Sequence, residues 1–165
     1  MDEKKTSDAI QAGSYDASNK PFDFVLEGGT TALVCESDPV ALEKLGAVLE
    51  VMGYRVTKVA DAPDALKSMR FHLYDLITVG EGPNEDDVLA HIRHLPMGVR
   101  RNIFVVLLST TVRTMDNMAA FGRSVNLVIN RENIGEAGAI IQRGIADNDA
   151  FYETFREALK RAGRL

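Results

Sequence analysis

The sequence predicts an α/β fold: a doubly wound parallel sheet of five strands with helices on both faces. Two observations predict it. Short apolar runs, typical of buried strands, recur at 31–35, 55–59, 76–79, 103–108 and 127–130. Segments whose apolar residues follow helical spacing separate these runs, with Gly or Pro at several boundaries. Strands that alternate with helices in this way form right-handed βαβ units, which build one parallel sheet.

The first helix has the clearest local signals. Asp38 is a capping residue, and Pro39 suits the first turn of a helix. The apolar residues that follow recur at helical spacing: Leu42, Leu45, Val48, Leu49 and Met52. Gly53 then ends the helix. Similar patterns predict helices over about 63–71, 86–95 and 114–121, and a final helix from about Ile134.

We predict the strand order 2-1-3-4-5, which is that of a flavodoxin-like, three-layer (βα)5 sandwich. This order places the carboxyl ends of strands one, three and four side by side, where function gathers in open parallel sheets. We expect this domain to span residues 31–146. Residues 1–20 are polar and aperiodic, as in disordered segments or linkers. Residues 21–30 form a short apolar lead-in, and residues 147–165 extend the final helix.

Composition narrows the functional classes. A formal net charge of −5 argues against a nucleic-acid binder, because phosphate binding draws on a basic face. The single cysteine, Cys35, excludes an intramolecular disulfide framework and most cysteine-based zinc sites. The sequence shows no signal peptide and no apolar stretch of roughly 18 residues. We therefore expect a cytoplasmic protein without a membrane partner.

Five stretches carry a resemblance to a known family. They are Ala32–Pro39, Gly53–Val56, Ala60–Leu66, Tyr74–Ile77 and Val105–Ser109. In order and spacing they resemble the receiver domains of bacterial response regulators, the CheY-like domains, over about residues 31–145. The resemblance implies a role in two-component (phosphorelay) signal transduction. In this family an aspartate at the end of strand three takes a phosphoryl group from a histidine kinase.

The family's phosphoacceptor and metal positions are altered in this chain. The phosphoacceptor position falls on Gly80, which has no side chain. The acidic pair that helps to bind Mg²⁺ in the family falls on Glu36 and Ser37, with Asp38 beside them. The resemblance therefore implies a degenerate receiver, or pseudo-receiver, that lacks the phosphoacceptor aspartate.

Two further family positions read the phosphoryl group. The Thr or Ser position is met by Ser109, whereas the Lys position falls on Asn130, so the Lys is absent. Phosphoryl transfer to a side chain needs a nucleophile, and the phosphoryl charge needs Mg²⁺ and a cation nearby. We expect no catalytic residue, no enzyme activity and no cofactor. Only Glu36 and Asp38 are left as metal candidates, and Mg²⁺ binding is not expected.

Three alternatives stay open. Glu81 either enters the site as a fixed negative charge in place of a phosphoaspartate, or begins the polar loop. Its offset from Gly80 favours the loop, since neighbouring residues of a strand face opposite sides. Glu36, Asp38 and Ser109 could form a residual phosphoacceptor or an Mg²⁺-dependent switch. The space that Gly80 leaves could instead receive a small molecule.

The final helix indicates a protein interface. Its apolar stripe continues for about fifteen residues beyond the expected edge of the sheet, where exposure is unfavourable. The interface candidates are Phe151, Tyr152, Phe155 and Leu159. The stripe either binds a protein partner or a second copy of the chain, with Asn148 fixing the register, or folds back on the domain, where Phe22 and Phe24 could meet it. A second candidate surface lies around strand four, the fourth helix and strand five. We hypothesise a non-catalytic receiver-like domain that acts through protein–protein contacts.

Overall fold

The computed structural model describes residues 30–164. Its elements are β1 (Thr31–Cys35), α1 (Pro39–Val51), β2 (Arg55–Val59), α2 (Ala62–Phe71), β3 (Leu76–Gly80), α3 (Glu85–Arg93), α4 (Met97–Arg100), β4 (Phe104–Ser109), α5 (Asn117–Gly122), β5 (Leu127–Asn130) and α6 (Ala137–Arg161). A 3₁₀ turn over Arg131–Glu136 joins β5 to α6. The predictions for residues 1–20 and 21–29 lie outside the described residues.

The five strands form one parallel sheet in the order β2-β1-β3-β4-β5, which confirms the predicted flavodoxin-like fold. The central strand β3 pairs with β1 on one side and with β4 on the other. Because all the strands run the same way, their carboxyl ends share one edge of the sheet, called the carboxyl edge below. Their amino ends share the opposite edge, called the amino edge.

Two apolar layers cover the sheet. On one face, α2, α3 and α5 pack on the side chains of alternate strand residues, among them Ile77, Val79 and Leu107. On the other face, α1 and α6 pack on the intervening residues, including Val34 and Val106. The central strands are buried on both faces, which explains why their sequences are continuous apolar runs rather than alternating ones.

One helix was not predicted. The sequence pattern indicated a single helix over 86–95, whereas α3 ends at Arg93 and the single turn α4 follows it. A helix of four residues has no periodicity from which to detect it. Its last residue, Arg100, donates hydrogen bonds of 2.9 Å to the carbonyl oxygens of Ile103 and Ser124. These bonds tie α4 to the amino edge beside β4 and β5.

The extended final helix is confirmed: α6 runs from Ala137 to Arg161. It crosses β4 and β5 closely at Gly144, where a Cβ atom would lie 3.0 Å from the ring of Phe104 and 3.2 Å from Leu127. Glycine at this point lets the helix approach the sheet. From there α6 continues past the amino edge. None of the helices within residues 30–164 is long and apolar enough to span a membrane.

Candidate functional site

The carboxyl edge brings together the residues that the sequence placed at strand ends. Glu36 follows β1, Gly80 ends β3, Ser109 ends β4 and Asn130 ends β5. Glu36 and Ser109 are buried even though both are polar. Ser37, in contrast, is exposed to solvent. The Glu36 side chain therefore lies in the site, whereas the Ser37 hydroxyl does not.

The Glu36 carboxylate fills the space beside Gly80. Its side chain is only 1% exposed, and a Cβ atom added to Gly80 would collide with its carboxylate oxygen. The backbone amide of Asp38 donates a hydrogen bond of 2.9 Å to the same carboxylate. Glu36 therefore fills the space beside Gly80 in which a small molecule was one of the open alternatives. A side chain at this position would have to displace the Glu36 carboxylate.

Arg131 supplies a cation that the sequence analysis missed. Its Nη2 atom lies 3.0 Å from Oε1 and 2.8 Å from Oε2 of Glu36. Its Nη1 atom lies 4.0 Å from a carboxylate oxygen of Asp38. The family's Lys position falls on Asn130, but the next residue reaches back across the carboxyl edge to β1. The signal available in the sequence was a positively charged residue, Arg131, directly after the altered position Asn130.

Glu81 is the first residue of the loop after β3, and its carboxylate is turned onto the residues that follow β4 and is only 18% exposed. One carboxylate oxygen accepts hydrogen bonds from the Ser109 hydroxyl (2.9 Å), the Thr110 backbone amide (2.7 Å) and the Thr110 hydroxyl (3.0 Å). The other accepts from the Thr111 hydroxyl at 3.0 Å. Burial alone would raise the pKa of Glu81, but these hydrogen bonds outweigh it and lower the pKa to about 2. Glu81 is therefore a permanent anion.

The two faces of β3 explain this arrangement. Position 80 faces one side of the sheet and the Glu81 side chain faces the other, because successive residues of a strand alternate between the two faces. The backbone amide of Glu81 donates to the carbonyl oxygen of Leu108, which continues the β3–β4 ladder past Gly80. This register sets Glu81 beside Ser109, on the face that α3 and α5 cover. The site thus has two halves, one on each face of the sheet.

Arg123 connects the Glu81 half of the site to two helices. Its guanidinium lies 3.4 Å from Glu81 and 2.7 Å from Glu85, a buried residue in the first turn of α3. The hydrogen bond that Arg123 donates to Glu85 is the main cause that raises the pKa of Arg123. Because Arg123 follows α5 directly, this ion-pair network fixes the end of α5 against β3 and α3.

Asn130 has a structural role. Its side-chain amide donates to the carbonyl oxygen of Val112 at 2.9 Å, and its carbonyl oxygen accepts from the amide of Glu132 at 3.0 Å. Its own backbone amide donates to the Thr114 hydroxyl at 2.8 Å. The residue at the family's Lys position therefore caps the 3₁₀ turn and holds the β4–α5 loop.

The residues do not fit a magnesium ion. Mg²⁺ requires octahedral oxygen coordination, generally with carboxylates. Glu36 and Asp38 both face the Arg131 guanidinium, and Gly80 contributes no oxygen from a side chain. Within residues 30–164, no group of three or more His, Cys, Asp or Glu side chains is arranged to hold a metal.

The interface candidates on α6 lie beyond the amino edge, at the other end of the molecule. Phe151 is 77% exposed and Phe155 is 44% exposed, whereas Tyr152 and Leu159 are half-buried. The Asn148 carbonyl oxygen accepts a hydrogen bond of 3.2 Å from Asn126, so this side chain secures α6 to its own domain. Asn148 is therefore not available to set the register of a helix pair.

The backbone was compared with solved structures. A receiver domain (CheY-like) from Methylobacillus flagellatus matches with a TM-score of 0.54 at 21% identity, over 70% of this chain and 98% of that one. An orphan response regulator of H. pylori matches with a TM-score of 0.57 at 18% identity, over 71% and 97%.

The fold is that of a receiver domain. A third match is the receiver domain of a sensor histidine kinase from Pseudomonas aeruginosa PAO1, with a TM-score of 0.57 at 27% identity over 72% of this chain and 99% of that one. That receiver domain was solved with a magnesium ion in its active-site cleft. No family model and no curated protein matches the sequence. The likeness to receiver domains is thus visible in the fold.

Proposed function

We propose that this chain is a non-catalytic receiver-like domain of two-component signalling, a pseudo-receiver that acts by binding proteins and is not itself phosphorylated. It has no enzyme activity and needs no cofactor. Its place is the cytoplasm, where two-component partners with receiver folds operate. The chain thus keeps the receiver fold without the phosphorylation for which receiver domains are known.

The observation that carries the proposal is that the chain's own ion pairs fill the carboxyl edge. Glu36, which is paired with Arg131, occupies the space over Gly80, where a phosphoacceptor would need both a side chain and room for a phosphoryl group. An incoming phosphoryl group would also meet the negative charge of Glu36. Phosphoryl transfer requires a nucleophile and a cation free to neutralise the transferred oxygens. Gly80 offers no nucleophile, and Arg131 is already paired with Glu36.

Glu81 supports a fixed signalling state. In the family, the Thr or Ser after strand four reads the phosphoryl group, and here the Ser109 hydroxyl donates to the Glu81 carboxylate. A carboxylate with a pKa of about 2 keeps its charge throughout the physiological pH range. Through Arg123, the same anion holds α5 in place. The chain therefore holds an anion at the reading position without a phosphorylation cycle.

Two surfaces offer contacts for partners. On α5, Met118 and Phe121 lie one helical turn apart, and both are largely exposed. α5 corresponds to the helix predicted over 114–121. These two side chains therefore lie on the surface expected around strand four, the fourth predicted helix and strand five. On α6, Phe151 and Phe155 are exposed beyond the amino edge. Aromatic side chains and Met are enriched at protein interfaces.

A phosphorylation assay tests the proposed function. The purified full chain is incubated with radiolabelled acetyl phosphate and Mg²⁺, alongside an unaltered receiver domain as a positive control. We expect no acid-labile phosphate on this chain under conditions that label the control. Stoichiometric acid-labile phosphate on the wild-type chain would refute the proposal.

A further inference from the structure

We propose that the exposed end of α6 pairs in antiparallel orientation with the same helix of a second copy of this chain. The segment concerned, residues 147–161, is called the helix extension. Phe151, Phe155 and Ala158 follow one another at spacings of four and three, so they share one face of the helix extension. All three are exposed. This face is called the apolar stripe.

The helix extension is held firmly enough to present the stripe. At its start, Asn148 accepts a hydrogen bond from Asn126 of the domain. Further along, the Arg101 guanidinium lies 5.4 Å from the centre of the Phe155 ring, as in cation–π pairs. The ring of Tyr152 also meets the rings of Phe151 and Phe155 edge to face. Large aromatic groups in a fixed helix lose little conformational entropy when a partner covers them.

The distribution of charged residues along the helix extension indicates which partner covers the apolar stripe. The first half of the helix extension is acidic, with Asp147, Asp149 and Glu153. The second half carries Arg156, Lys160 and Arg161, with Glu157 as the one acidic residue. Two copies in antiparallel orientation would set each acidic half against the basic half of the other, while parallel copies would set like charges together. The helix is therefore complementary to itself in the antiparallel orientation alone.

A specific register follows from the spacing. Asp147, Thr154 and Arg161 are seven residues apart, so they form one line beside the apolar stripe. With the two-fold axis near Thr154, Asp147 of each copy lies opposite Arg161 of the other. In the same register, Phe151 lies near Ala158 of the second copy. Large side chains then face small ones, which allows the two helices to pack closely.

The length of the helix extension sets the expected affinity. Residues 147–161 span about 22 Å of helix, which is short for an interface on its own. We therefore expect a reversible dimer with a micromolar dissociation constant. The inference rests on the proposed function in that it names the partner of the α6 surface. A dimer without phosphorylation supports both ideas, and phosphate on the chain would refute only the proposed function.

Sedimentation of the full chain over a range of concentrations tests the pairing. We expect a monomer–dimer equilibrium for the wild type. Phe151→Glu should raise the dissociation constant by about tenfold or more, because it places a charge in the centre of the apolar stripe. Phe71→Glu is the matched control: an equally exposed Phe at the end of α2, whose replacement should leave the equilibrium unchanged. A wild-type monomer at every concentration would overturn the inference.

A charge exchange tests the antiparallel register. Asp147→Arg alone and Arg161→Asp alone should each weaken the dimer, since each places like charges opposite one another. The double variant should regain the wild-type dissociation constant, because the pair is then reversed and intact. In a parallel pair each position would face its own copy, so like charges would stay opposite one another in every variant and neither single variant would weaken the dimer; this result would overturn the inference. Circular dichroism of each variant confirms that the helix content is unchanged.

A truncation separates a second copy from a fold-back of the lead-in segment. If removal of residues 1–29 converts a monomer into a dimer, the lead-in covers the stripe in the full chain, and the inference is wrong. If the dissociation constant is the same with and without these residues, the second copy is the occupant.

Discussion

The two ends of the sheet are opposite in character. At the carboxyl edge, buried polar groups are paired with one another: Glu36 with Arg131, and Glu81 with Ser109 and Arg123. Beyond the amino edge, α6 exposes the aromatic side chain of Phe151. The polar groups at the carboxyl edge bond to one another, whereas the aromatic ring of Phe151 beyond the amino edge is exposed. The contrast teaches that the carboxyl edge is filled by the chain's own ion pairs, whereas the opposite end presents exposed aromatic side chains.

The contrast predicts that breaking a pair at the carboxyl edge is costly. Arg131→Met would leave the Glu36 carboxylate buried without its cation, and we expect a loss of about 3–5 kcal/mol in the free energy of unfolding. Urea denaturation monitored by circular dichroism measures this change.

The matched control for this variant is Arg156→Met, with both variants measured at a concentration where the chain is monomeric. Arg156 pairs with Asp149 at 3.0 Å, but both side chains are more than half exposed. Exposed ion pairs contribute little, so we expect a change of about 0.5 kcal/mol or less. Equal losses in the two variants would mean that the Glu36–Arg131 pair is no more important than a surface pair.

A smaller effect on the free energy of unfolding is expected from the charge of Glu81, and it depends on pH. Its pKa in the folded protein, about 2, lies below the ordinary value of 4.5. The ionised carboxylate therefore stabilises the fold fully above pH 4.5, and this contribution is lost as the pH falls towards 2. We expect it to be on the order of 2 kcal/mol, with allowance for solvent screening of a side chain that is 18% exposed.

Glu81→Gln isolates that contribution. The variant should be less stable than the wild type at pH 7, and the difference between the two should shrink between pH 4.5 and pH 2. Urea denaturation at several pH values checks this. A difference that is constant across that range would show that the Glu81 charge does not stabilise the fold.

The smallest effect is expected at the open end. Phe151→Ala, measured at a concentration where the chain is monomeric, should change the free energy of unfolding by about 0.5 kcal/mol or less. Ile141→Ala, on the buried part of the same helical stripe, should cost about 2–5 kcal/mol. If the two substitutions cost the same, the helix extension is packed against the domain and the contrast between the ends fails.

The sequence predicted the fold and the positions of the strand ends because both follow from local patterns. Apolar runs and caps fix the strands and helices, and a parallel sheet gathers Glu36, Gly80, Ser109 and Asn130 at one edge. The pairing of those residues could not be predicted in the same way. Arg131 and Glu36 are 95 positions apart, and only the folded chain sets the long arginine side chain against the Glu36 carboxylate.

Glu81 shows a different limit. Its direction relative to Gly80 follows from strand geometry and was inferred correctly. Whether that direction leads to solvent or to the site depends on the register between β3 and β4, which the sequence of β3 alone does not contain. The threonines after Ser109 were the missed signal, since three adjacent hydroxyl residues can surround a carboxylate.

The claim that the carboxyl edge is closed is tested most directly by nuclear magnetic resonance. Backbone amide signals of the full chain are followed while Mg²⁺ is added to low-millimolar concentration, and acetyl phosphate is then added. We predict no clustered shifts, because Arg131 already neutralises the carboxylates and Gly80 carries no acceptor. Saturable shifts confined to Glu36, Asp38 and Gly80 would contradict the account, since they would show that the edge still accepts the metal of an active receiver.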